Sequence, residues 1–251
     1  MLHPRLSVVI PVYNEATAIR EALGEASEKL EELGMAWEIL VVDNASTDGT
    51  RDLVAAFASD PRIVLLRNEV NRGKGHSVRR GVLESRGDLV LHCDADCVPS
   101  FASLPVMLER LEGADVVVGS RLAAGAALGR RQPLRRRIVG RAFVGLCRLV
   151  LHEPTRDLFC GFKLWRARAA RAAYEHTRLD GWVFDAEVLA MARALGFELR
   201  ELGITWSDRA GSRLSMPSVV VPAVRDLLRA RAHVRAQAAR SLAARAAGSV
   251  S

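Results

Sequence analysis

Two carboxylates one residue apart, Asp94 and Asp96, directly follow the run Leu89-Val90-Leu91-His92-Cys93. An apolar run of that length reads as a buried parallel strand, so the Asp-x-Asp sits where the strand ends. In an open α/β sheet ligands bind at the carboxyl ends of strands. Paired carboxylates there suit a divalent cation held against a diphosphate. An isolated Asp-x-Asp is more often a helix cap beside a surface residue. Three further polar clusters argue for the chemical reading: Pro11-Val12-Tyr13-Asn14-Glu15, Val42-Asp43-Asn44-Ala45-Ser46-Thr47-Asp48-Gly49 and Asn71-Arg72-Gly73-Lys74-Gly75.

Each cluster follows a segment with strand character. Residues 6–12 are β-branched and ended by Pro11, residues 39–43 and 63–66 are apolar runs, and residues 115–121 give a fifth strand that ends in Arg121. Helical spacing appears between them. In residues 18–33, Ile19, Ala22, Leu23, Ala26, Leu30 and Leu33 share one face, and Gly34 is the stop. Strands alternating with helices predict βαβ units, a mostly parallel sheet and right-handed crossovers. Neither Gly-x-Gly-x-x-Gly nor a Walker A sequence follows the first strand, so the usual dinucleotide and P-loop signatures are absent.

The 251 residues, 49% of them hydrophobic, are enough for one large α/β domain. No window supplies the roughly 18 continuous apolar residues of a membrane span. The N-terminus does not read as a signal peptide, so a cytosolic catalytic body is expected. Cys93, Cys97, Cys147 and Cys160 lack paired Cys-x-x-Cys spacing and read as free thiols. The net charge is +7, and all 36 basic residues except Lys29, Lys74 and Lys163 are arginine. A basic nucleic-acid-binding protein would fit that charge but leaves the strand-end carboxylates unexplained. A non-catalytic membrane-binding subunit would not need the Asp-x-Asp.

The four motifs together resemble the family 2 glycosyltransferases of the GT-A fold. The resemblance implies a nucleotide-sugar donor, with Pro11, Tyr13, Glu15 and Asp43 lining the nucleoside site and Lys74 nearby. Asp94, Ala95 and Asp96 would face ribose, diphosphate and metal, with Asp94 and Asp96 as ligands of Mg²⁺ or Mn²⁺. Downstream, Arg156-Asp157-Leu158-Phe159-Cys160-Gly161-Phe162-Lys163-Leu164, Trp182-Val183-Phe184-Asp185-Ala186-Glu187 and Trp206-Ser207-Asp208-Arg209-Ala210-Gly211-Ser212-Arg213-Leu214 look like the dolichyl-phosphate glucosyltransferases and the related dolichyl-phosphate mannose synthases. Cys160-Gly161-Phe162-Lys163 is closer to the glucosyl branch. The expected reaction is hexose transfer, from UDP-glucose ahead of GDP-mannose, to a polyprenyl phosphate. A soluble relative with a non-lipid acceptor is a further alternative.

On this reading Asp94, Asp96, Arg121, Lys163 and Asp185 are the catalytic candidates, and Arg121, Arg141, Lys163 and Arg213 would dock the acceptor phosphate. Trp182 and Trp206 fit ligand stacking or ordinary packing equally; Asp185 and Glu187 fit sugar hydroxyls or a cap and an ion pair. Two residues depart from the family pattern. Asn44 stands where a second Asp is usual, and Val98 cannot ligate a cation. An acceptor phosphate monoester is largely dianionic at neutral pH, so a catalytic base is not obligatory.

A helix over residues 133–152 would place Leu134, Ile138, Phe143, Leu146, Leu149 and Val150 on one broad side and Arg137, Arg141 and Arg148 on the other. With Arg130, Arg131, Arg135 and Arg136 before it, the helix suits an anionic membrane surface, and peripheral attachment to the inner face of the membrane is expected. The expected domains are a GT-A body over residues 1–216, including that helix, and an Arg/Ala-rich helical extension over 217–251. Oligomeric state is not legible.

Overall fold

The computed structural model describes residues 3–128, 134–206 and 216–248. The apolar runs become β1 (Leu6–Val12), β2 (Trp37–Asp43), β3 (Ile63–Arg67), β4 (Leu89–Cys93) and β5 (Val116–Ser120). The helices between them are α1 (Ile19–Glu32), α2 (Thr50–Ala55), α3 (Lys74–Glu84) and α4 (Leu104–Leu111), the last preceded by a 3-10 helix, Val98–Ser103. Pro11, expected to end the first strand, lies inside it. Pairing of β1 with β4 stops at Val9 opposite His92, while Val12 still bonds toward β2, so proline's missing N–H falls where no neighbour needs it.

Two short strands, β6 (Ala127–Leu128) and β9 (Thr205–Trp206), form a separate parallel pair beside the main sheet. The rest of the second half supplies α5 (Leu134–Leu151), β7 (Phe162–Arg166), α6 (Ala167–His176), α7 (Phe184–Ala194), β8 (Leu199–Gly203) and α8 (Met216–Gly248).

The main sheet has seven strands in the order β3-β2-β1-β4-β7-β5-β8. It is mostly parallel, as expected, with one reversal: β7 runs antiparallel between β4 and β5. The reversal brings the start of β7 against the end of β4, so that Cys93 faces Phe162 and His92 faces Lys163.

Period-two alternation divides the side chains between two cores. Val8, Ile10, Leu91, Phe162 and Leu164 pack with α1, α4 and the 3-10 helix. Val9, Val90, Trp165, Val116 and Val118 pack with α3, α6 and α7. The helix α8 adds Ala223, Leu227, Ala230 and Val234 to the second core.

The helix at 133–152 is present as α5, but its apolar side is divided. Cys147 and Leu151 are buried, and Phe143, Val144 and Val150 pack partly into the second core, where Phe143 stacks on Phe159. Among the described side chains of this helix, the large apolar ones that face solvent are Val139, Leu146 and Leu149, the last at 73% exposure. The broad single face read from helical spacing is therefore split, because α7 and α8 pack against part of it and Phe159 meets Phe143. Arg130, Arg131 and Arg213 lie outside the described residues, as do the side chains of residues 98 and 134–138.

Candidate active site

The carboxyl ends of β1, β2 and β4 meet the start of β7, and four loops converge there. The first two are laced together by local polar chemistry. Asn14, in the left-handed region at φ 56°, accepts from the Thr47 N–H at 2.8 Å and donates its own N–H to Ser46. Asp48 accepts from the N–H groups of Ala16 and Thr50 at 3.1 Å. Tyr13 is exposed, Pro11 and Glu15 are half-buried, and Asp43 is fully buried, accepting from the Ser46 N–H at 3.1 Å and from Arg51. The four nucleoside-site candidates thus share one rim, with Asp43 already engaged.

Asn44 earns its amide. Its Nδ2 donates to Asn71 Oδ1 at 2.8 Å, and its Oδ1 accepts from Asn68 Nδ2 at 3.2 Å and from the Arg72 N–H at 3.1 Å. A carboxylate could accept but not donate in this ladder. The ladder holds the glycine loop that presents Lys74.

Gly73 and Gly75 lack side chains because the loop at 179–181 lies against them. A Cβ on Gly73 would stand 2.3 Å from the Asp180 carbonyl oxygen, and one on Gly75 would stand 2.6 Å from that of Leu179. Between these glycines Lys74 reaches inward, its Nζ 2.6 Å from Asp94 Oδ2 and 3.6 Å from Asp185 Oδ2. Burial opposes its charge, yet Asp94 and Asp185 raise its pKa above the usual lysine range.

Asp94 begins where β4 ends. Its N–H donates to the Gly161 carbonyl at 2.8 Å, and its Oδ1 lies 3.2 Å from His92 Nε2. Burial would favour the neutral acid, but Lys74 and then His92 hold the Asp94 carboxyl well below the usual carboxylate range. Burial pushes the pKa of His92 down, so its ring is neutral and meets Asp94 as an N–H donor. Asp96 is pushed the other way, by burial and then by the charge of Asp94.

Asp94, Asp96 and Cys97 each offer a ligand atom within 4.8 Å of the others. Burial lifts the Cys97 thiol well above its usual pKa, so it stays protonated and the effective donors are hard carboxylate oxygens. Two carboxylates held together at a cost to Asp96 fit a hard divalent cation.

Gly161 is the tightest contact in the site. A Cβ there would stand 1.9 Å from Asp94 Oδ2. Gly161→Ala should displace the Asp94 carboxylate and lower turnover by about 10²-fold, since displacements of about 1 Å cost that much. Steady-state rates alongside a near-UV spectrum matching the wild type would check this; an active Gly161→Ala enzyme would show that Asp94 need not hold its place.

The two residues expected to meet the acceptor phosphate are held differently. Lys163 is fully enclosed, its Nζ donating to the Cys160 carbonyl at 2.6 Å and paired with Asp185, itself at 1% exposure. As β7 places it beside His92 and facing α7, it offers no open cation to an acceptor. Arg121 donates from Nε and Nη2 to Asp157 at 2.8 and 2.7 Å, and its guanidinium lies 5.2 Å from the Trp206 ring centroid. It remains 28% exposed, and its charge reaches Asp96. Arg141 is exposed on α5. Glu187 is turned into the protein, where its Oε2 accepts from the Arg178 and Leu179 N–H groups at 3.1 and 2.9 Å.

Residue-type reasoning did not single out His92, although it shares strand parity with Asp94. Nor did it reach the Asn44–Asn71 ladder.

A mixed sheet covered on both faces, with paired acids at its carboxyl edge, defines the GT-A class of nucleotide-sugar-dependent glycosyltransferases. The fold matches glucosyl-3-phosphoglycerate synthase of Mycobacterium tuberculosis, in a complex with Mn²⁺, UDP and glucosyl-3-phosphoglycerate. The TM-score is 0.63 and the identity 18%, over 91% of this chain and 80% of that one. It also matches a Pyrobaculum calidifontis mannosyltransferase in complex with GDP-Man and Mn²⁺, with TM-score 0.54 and 19% identity over 98% and 76% of the two chains.

The chain belongs to glycosyl transferase family 2, whose sequence profile matches residues 7–173. Among its relatives is a dolichyl-phosphate beta-glucosyltransferase of Trichomonas vaginalis, 33% identical over 91% of this chain and 71% of the relative. Another, of the same name, from Dictyostelium discoideum, is 32% identical over 90% and 73%.

Proposed function

We propose that this glycosyltransferase moves glucose from UDP-glucose to a polyprenyl phosphate at the cytoplasmic face of a membrane. The observation that carries the reading is the Lys74–Asp94–Asp96 arrangement at the carboxyl edge of the sheet, in a chain similar along nine-tenths of its length to dolichyl-phosphate glucosyltransferases. An acceptor phosphate oxygen bonds to the anomeric carbon as the bond from that carbon to the diphosphate breaks, and UDP departs.

Asp94 and Asp96 would hold Mg²⁺ or Mn²⁺, which supplies Lewis-acid neutralisation of charge on the leaving diphosphate. The chain's own residues prepare that place. Lys74 and the neutral His92 fix Asp94 in its ionised form and in one orientation. Asp185 and Lys163 act as a buried brace: their pair sets the floor against which Lys74 extends. No proton need be removed from a dianionic acceptor, so the reaction does not depend on a catalytic base.

For the acceptor phosphate, Arg121 keeps an open edge and its charge reaches Asp96, and Arg141 and Arg213 are further candidates. No described helix is long and apolar enough to cross a membrane. The exposed Val139, Leu146 and Leu149 of α5, beside Arg141 and Arg148, support attachment in the bilayer surface.

The test is transfer of labelled hexose from UDP-glucose and, separately, from GDP-mannose to a polyprenyl phosphate with Mg²⁺, followed by extraction into organic solvent. Label from UDP-glucose alone in the lipid phase is the expected result. Label from GDP-mannose alone would move the protein to the mannosyl branch, and transfer only to a water-soluble acceptor would overturn the lipid reading.

A further inference from the structure

We propose that the Trp182 indole is the platform on which the hexose ring of the donor rests. The inference depends on the donor reading above and adds a residue to it. Trp37, Trp165 and Trp206 are 3%, 0% and 8% exposed, whereas Trp182 keeps 45% of its surface open. An indole left half in water forgoes the burial that stabilises the other three, so a further partner for its face is chemically reasonable only if one arrives.

Its location identifies that partner. Trp182 lies in the turn that opens α7, directly after the loop whose Leu179 and Asp180 carbonyls press on Gly75 and Gly73. The Gly75 N–H donates to the Asp180 carbonyl at 2.8 Å, and Glu187 holds the same loop through the N–H groups of Arg178 and Leu179. The turn is therefore fixed to the glycine loop that presents Lys74. The Lys74 ammonium lies 5.4 Å from the indole centroid and 2.6 Å from Asp94 Oδ2.

The exposed ring thus stands one ammonium group away from the carboxylates placed to meet the donor diphosphate. The next group outward along a nucleotide sugar is the hexose. A pyranose presents C–H bonds on its faces and hydroxyls around its rim, and the partly positive C–H hydrogens suit the negative face of an indole. A membrane-facing tryptophan would also be half exposed. The contact with Lys74, beside the diphosphate position, favours the sugar.

The test compares binding of UDP with UDP-glucose, and of GDP with GDP-mannose, by calorimetry with Mn²⁺. It uses the full chain as wild type, Trp182→Ala and Trp182→Phe. Acrylamide quenching of tryptophan fluorescence is read in parallel, since Trp182 is the only tryptophan well exposed to the quencher. In the wild type the nucleotide sugar, and not the bare nucleotide, should shield the exposed indole. Trp182→Ala should weaken the nucleotide sugar by roughly tenfold while leaving the bare nucleotide within about twofold, and Trp182→Phe should recover most of the loss.

Equal effects on nucleotide and nucleotide sugar would overturn the proposal. So would an effect confined to the KM for polyprenyl phosphate, which would assign the indole to the lipid. Wild-type enzyme that binds the nucleotides but neither nucleotide sugar would overturn the donor reading together with this inference, and so is distinguishable from failure of the platform alone.

Discussion

Asp96→Asn should reduce hexose transfer by at least about 10³-fold, at the upper end of what loss of one oriented electrostatic contact to a developing charge costs. Lys74 bonds to its partner Asp94, while Asp96 itself meets the Cys97 thiol at 3.6 Å and feels the charges of Lys74 and then Arg121 without a bond to either among the described residues. Asp96 is therefore free to face an incoming cation. Burial and the neighbouring Asp94 already disfavour its charge, so removing that charge relieves repulsion in the protein alone. Two readouts should consequently move in opposite directions. Turnover should collapse, whereas the melting temperature without added metal should stay level or rise. The stabilisation that Mn²⁺ gives the wild type by binding only the folded state should vanish in the variant. A variant that melts normally, keeps its Mn²⁺ shift and transfers hexose at the wild-type rate would remove Asp96 from the mechanism.

Asp185→Leu should be the most destabilising single change in the site. Lys163 is wholly buried, and Asp185 supplies its countercharge; the remaining hydrogen bond is to the Cys160 carbonyl. Removing one member of a buried ion pair leaves an ammonium without compensation, at a cost of about 3–5 kcal/mol. For a chain of this size that corresponds to a fall in melting temperature of roughly 10 °C. The double replacement Lys163→Met with Asp185→Leu should recover much of the loss, because well-packed apolar side chains replace a buried pair at little net cost. Urea unfolding of the three variants measures this. A single-variant loss below about 1 kcal/mol would show that water reaches the pair, which then resembles an exposed one.

Recovery of stability in the double variant should not restore activity. Asp185 also faces Lys74 at 3.6 Å, and without it Lys74 loses one of two anions that hold it in place. Stability and turnover would then separate, as expected where a buried polar group is kept for orientation.

Much of this organisation is local and could be read along the chain. Apolar runs and helical spacing located the strands and helices of the first half, because hydrophobic period follows directly from backbone geometry. The placement of Asp94 and Asp96 beyond the end of β4 followed for the same reason, as did the polar loops after β1 and β2. The motifs were also specific enough in combination to indicate a glycosyltransferase fold.

The roles of the cationic and aromatic residues were not local. The sequence alone offers Lys163 and Arg121 as equivalent phosphate contacts. Tertiary pairing separates them, since β7 enters the sheet antiparallel and buries Lys163 between His92 and α7, while Arg121 stays at the rim against Asp157. Likewise Trp182 and Trp206 look alike as motif residues, yet one is open beside Lys74 and the other packed under Arg121. Alternation along a strand fixes which side chains share a face, but the strand's neighbour is chosen by contacts distant in sequence. A charge becomes a brace or a binding group according to that neighbour, and so only the folded chain decides it.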